Sequence, residues 1–180
     1  MKPERPKNFS PAQSQAQACA PVNISLCNRI REAFAGVALG RGIGLQQAQG
    51  IDDYEDEAKC AHYRASDEKE DWSRIPVSEL NRCNSSLSFF DAEGMRFHLP
   101  AFLIADLHGT YGFGMAICLT QSHDYVRYFG LLSDSQRKVV REFLLHISKE
   151  PDYEFHRPHI IRALQEYWID PHLPRNDRNV

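Results

Sequence analysis

Cysteine, histidine and aspartate are the residues through which this chain could do chemistry, and their spacing limits which chemistry. Cys60-x-His62 and His156-x-x-His159 are the close pairs of zinc-type ligands. Neither recurs beside a second pair at finger spacing, so these four are the candidate metal set, with no resident metal or other cofactor expected. A cysteine nucleophile needs a neighbouring base, which makes Cys83 or Cys118 with His98 a candidate couple if the fold gathers them. Asp106 is the one charge on an apolar stretch; a buried carboxylate must be paired or shifted in pKa, and Arg96 is its nearest partner by sequence. Ser122-His123-Asp124 contains the members of a hydrolase triad, but adjacent residues cannot converge in relay geometry, and a turn is expected.

Two further stretches invite ligands. Gly40-Arg41-Gly42-Ile43-Gly44 precedes a helically spaced run, and a glycine loop entering a helix can cradle phosphate. It lacks the lysine and hydroxyl of a P-loop, so a connection between two helices is expected. Asp52, Asp53, Asp56 and Glu57 surround Tyr54; at helical spacing such carboxylates share a face and suit a cation or a basic partner. Arg64 to Arg74 is polar except for Trp72, which reads as an exposed loop or short helix pinned by the indole.

The elements that must position these groups centre on residues 86 to 109. Leu87, Phe89, Met95, Phe97 and Leu99 alternate with Ser88, Arg96 and His98, the period of two of a half-buried hairpin. A turn closed by Gly94 would face Phe89 with Phe97 and Leu87 with Leu99, leaving His98 across from Ser88. Pro100 would then open a buried helix through Leu107, ended by Gly109. The apolar run Tyr111 to Leu119 fits a third strand or buried coil. Helices are expected from Asn23 (Leu26, Ile30, Phe34), from Gly44, from Pro76, from the capping box Ser133 to Gln136, and from Pro158 to Trp168.

The phrase LSFFDAEGMRFHLPAFLIADL resembles the core of a family of uncharacterised bacterial proteins, the domain of unknown function numbered 6714. LLSDSQRKVVREFLLHI and ALQEYW resemble its closing helices, so the likeness runs from Ile24 to Trp168. It implies domain boundaries and a bacterial source, and no activity.

A chain of 180 residues is long enough for one domain burying about 70% of its unfolded surface. Residues 1–22 and 170–180 read as loose tails around a domain over 23–169. The fold class expected is α+β, predominantly helical, with a small antiparallel β-hairpin. With 21 basic and 24 acidic side chains, the net charge of −3 offers no field for nucleic acid. No apolar run reaches the roughly 18 residues of a membrane span, and five irregularly spaced cysteines fit reduced thiols in the cytoplasm. The function expected is a protein-interaction module, of inhibitor or immunity type, docking through Asp52, Asp53, Asp56, Glu57 and the Trp72 region. The alternative is a small hydrolase using His98 and Asp106 with a cysteine or metal.

Overall fold

In α1 (Pro21–Ala33), Leu26, Cys27 and Ile30 recur at one- and three-residue steps and all are buried, so one stripe of the helix faces inward. Gly36 then takes a positive φ of 70°, the left-handed conformation glycine supplies without a Cβ clash. The computed structural model describes residues 21–121 and 124–169. The tails expected over 1–22 and 170–180 lie outside the described residues, except Pro21 and Val22, which open α1.

Among the described residues the chain forms helices and no strand. After α1 come α2 (Leu45–Asp52), α3 (Glu57–Ser66), a 3-10 turn at Trp72–Arg74, α4 (Val77–Arg82) and a second 3-10 turn at Asn84–Ser88. Next are α5 (Ala92–Leu107), α6 (Ala116–Thr120), α7 (Tyr125–Phe129), α8 (Asp134–Ile147), a 3-10 segment at Pro151–His156 and α9 (Arg157–Glu166). The capping box of α8 forms as its sequence requires, Ser133 and Gln136 each accepting the other's amide. Tyr111 to Leu119 is a turn entering α6, not a strand.

The hairpin is the main correction, and with it the α+β class: the described fold is all-helical. Asp91 does not begin a reversal. Its side chain accepts the Gly94 amide at 2.8 Å and caps α5, which continues for sixteen residues with Pro100 inside it. Proline leaves the Arg96 carbonyl without its helical donor but does not stop the helix. The period of two misled because α5 is buried nearly all round. His98, placed on the polar face of a strand, is 0% exposed, as are Phe97 and Leu99. A helix surrounded by protein shows no polar stripe from which to read a period of 3.6.

α5 runs through one contiguous core. It packs against α1, α4, α7 and the Trp72–Arg74 turn, while α8 lies on α1 and α9 joins α8 and α6. Trp72, expected in an exposed region, is a buried anchor whose indole donates to the Phe34 carbonyl at 3.0 Å. The end of the chain is held in the same way. Trp168 donates to Leu119 O at 2.8 Å, and Arg141 donates to the Leu164 and Trp168 carbonyls left open at the end of α9.

Candidate functional site

The glycine loop and the start of α5 form one clamp. A single oxygen of Asp91 accepts the amides of both Gly94 and Ile43, at 2.8 and 3.0 Å, and Glu93 accepts the Arg41 amide at 3.0 Å. The backbones touch: a Cβ on Gly42 would lie 2.5 Å from the Gly94 nitrogen, and one on Gly94 2.5 Å from the Ile43 carbonyl. The F-D-x-E-G phrase is thus explained by close packing. The phosphate cradle is filled from within, because the Asp67 carboxylate accepts the Gln46 and Gln47 amides at 2.9 and 3.2 Å at the first turn of α2. Burial raises its pKa, and those amides partly offset the rise.

The four titratable candidates take separate structural duties. His98 donates from Nδ1 to the Gly94 carbonyl at 2.7 Å, stacks on Phe90 with centroids 4.4 Å apart, and meets the edge of Phe97. Its Nε2 is buried without a partner. Burial pushes the imidazole down to about 4, so the ring is neutral at physiological pH. Ser88, its expected neighbour, is exposed, and its carbonyl accepts from the Tyr128 hydroxyl.

Asp106 does not pair with Arg96. It accepts the Met115 amide at 2.7 Å and the Tyr153 hydroxyl, tying α5 to the start of α6 and to the Pro151–His156 segment. Burial raises its pKa, and burial followed by the Asp106 bond raises that of Tyr153. Cys83 is 0% exposed and pushed up to about 11, while Cys118 is half-buried and pushed up to about 12, both by burial. Both are thiols at neutral pH, not the thiolates that nucleophilic attack requires.

Cys60 and His62 lie on α3, His156 ends the third 3-10 segment, and His159 lies on α9. No group of three or more His, Cys, Asp or Glu side chains among the described residues is arranged to hold a metal. The carboxylates expected on one helix face are divided: Asp52 ends α2, Asp53 caps its C-terminus, and Asp56 caps and Glu57 begins α3. Ser122 and His123 lie outside the described residues, and Asp124 caps α7 by accepting the Arg127 amide.

Sequence reasoning missed two juxtapositions. Cys27 Sγ lies 3.6 Å from His108 Nε2, 81 residues away, a pair no local spacing announces. Cys27 is 1% exposed, so a substrate has no route to its sulfur. The second is a groove of about 650 Å³ between the Asn84–Ser88 turn, α5, α6 and α7. Leu87, Met95, Phe113, Ile117, Cys118 and Phe129 contribute its apolar lining, with Asn84, Gln121, Asp124 and Arg127 among its polar residues. Phe113 is 60% and Ile117 55% exposed. The Asp106 ties hold this wall, since Met115 and Gly114 follow Phe113 directly and Tyr153 covers Gly114, which has a φ of 69°. The signal lies in the Tyr111 to Leu119 run, which buries Tyr111, Met115, Ala116 and Leu119 and turns Phe113 and Ile117 to solvent.

Fold and groove together define an all-helical architecture with a largely apolar cleft and no gathered catalytic set among the described residues. The chain belongs to the family of unknown function DUF6714, whose model matches residues 23–172. No curated protein and no solved structure matches it. No described helix is long and apolar enough to cross a membrane.

Proposed function

We propose that this chain is a protein-interaction module whose groove receives an apolar segment of a partner protein. The carrying observation is the groove itself: a cavity of about 650 Å³ with an aromatic and aliphatic lining, whose wall keeps Phe113 and Ile117 more than half exposed. Exposed large apolar residues grouped at a cleft cost solubility and mark contact sites. Further support comes from the titratable side chains. His98 and Cys83 are sealed in the core, and Asp106 is committed to positioning the groove wall, which stands against a hydrolase built on them.

The test is selection from a random peptide display library on the immobilised chain, with Ile117→Asp as control. Enrichment of peptides rich in Leu, Ile, Phe or Trp on the wild type, lost on Ile117→Asp, is the expected result. Equal enrichment on both would overturn the groove as the contact site.

A further inference from the structure

We infer that the segment received by the groove carries a carboxylate that meets Arg127, an inference that rests on the binding role just proposed. Among the described residues the groove is lined by one acidic and one basic side chain, Asp124 and Arg127. Their commitments differ. Asp124 is occupied at the start of α7, where one carboxylate oxygen accepts the Arg127 amide at 2.9 Å. The Arg127 side chain is exposed, its guanidinium lies over the Tyr128 ring 5.4 Å from the centroid, and it makes no ion pair among the described residues. Tyr128 is itself fixed by its hydroxyl bond to Ser88 O at 3.1 Å, so the cation is held by a positioned ring.

The other ionisable lining groups among the described residues are phenols and a thiol, of which Tyr111 and Cys118 are pushed upward by burial and carry no charge near neutrality. Among the described residues the groove therefore presents an apolar wall beside the Arg127 guanidinium, which has five N–H donors and no carboxylate partner. Its complement is a chain with apolar anchors and an Asp, Glu or terminal carboxylate next to them. A protein segment fits better than a free amphiphile, because small ligands are largely enclosed whereas Phe113 and Ile117 form an open shoulder that a chain would cover.

The probe is the peptide pool enriched by the wild-type chain, compared with pools enriched by R127E and R127K, each first checked for unchanged helical circular dichroism. An excess of Asp, Glu or free carboxyl termini beside the apolar anchors is expected on wild type and R127K, and its replacement by Lys or Arg on R127E. Wild-type peptides should bind R127E about fivefold more weakly, the scale of a rim ion pair, and lose that margin at high salt. Apolar enrichment without acidic excess would overturn this inference and leave the groove's binding role intact; no apolar enrichment would overturn both. Blockade of peptide capture by decanoate, equal on wild type and R127E, would assign the groove to a free amphiphile and overturn the inference as well.

Discussion

Burying the His98 ring between Phe90 and Phe97 keeps it neutral, because protonation would place an N–H at Nε2 where no acceptor exists. Its folded pKa of about 4 lies below the ordinary 6.5. Between those values the unfolded chain binds a proton that the folded chain refuses. The stabilising contribution is therefore complete above pH 6.5 and lost as pH falls toward 4, by roughly 3 kcal/mol. Asp67 and Asp106 act in the opposite sense. Their raised pKa values favour the protonated form in the fold, so their contribution is present at low pH and lost as pH rises through the folded values. Urea unfolding across this range should show the gap between wild type and His98→Phe changing by that roughly 3 kcal/mol; parallel curves would contradict the assignment. At Gly44, φ is −77°, which suits alanine, yet a Cβ would collide with the Asp67 carboxylate. Gly44→Ala should cost about 2 kcal/mol or more in the wild type and much less beside Asp67→Gly, a coupling that a double-mutant unfolding cycle measures.

Among the elements, Asp106 links three that share few other ties. Asp106→Ala leaves the half-buried Tyr153 hydroxyl and the Met115 amide without their acceptor, so a loss of about 2–3 kcal/mol is expected. Faster hydrogen exchange should centre on Met115, and unchanged protection there would remove Asp106 from its positioning role. The elements also differ in how far the sequence announced them. α1, α8 and α9 were legible because each has an apolar stripe, and α8 a capping box as well. α5 was legible from Pro100 to Leu107, as a buried helix ending before Gly109, but its first half was not, since burial on every side erased its period and Asp91, Gly94 and Pro100 each serve a turn as readily as a helix. Trp72 is the pin that its isolation in a polar run implies, but its polar neighbours disguise how deep it sits. The groove was illegible for another reason: its lining comes from residues 84 to 129, and no local pattern encodes which exposed faces meet.

Across the whole molecule, the residues that resemble the family's core phrase serve architecture. Asp91, Glu93 and Gly94 lock the glycine loop to α5, Asp67 closes the anion site of α2, and Arg141 and Trp168 fasten the last helix. At the groove this framework leaves the shoulder of Phe113 and Ile117 exposed. The acidic edge at Asp53, Asp56 and Glu57 offers a second surface of opposite character, also exposed. Amide chemical-shift mapping distinguishes the two when a peptide from the wild-type display pool is titrated into the full chain. Shifts concentrated at Leu87, Met95, Phe113, Ile117 and Arg127 are expected. Shifts confined to residues 52–57, with the groove amides unmoved, would contradict the groove's binding role.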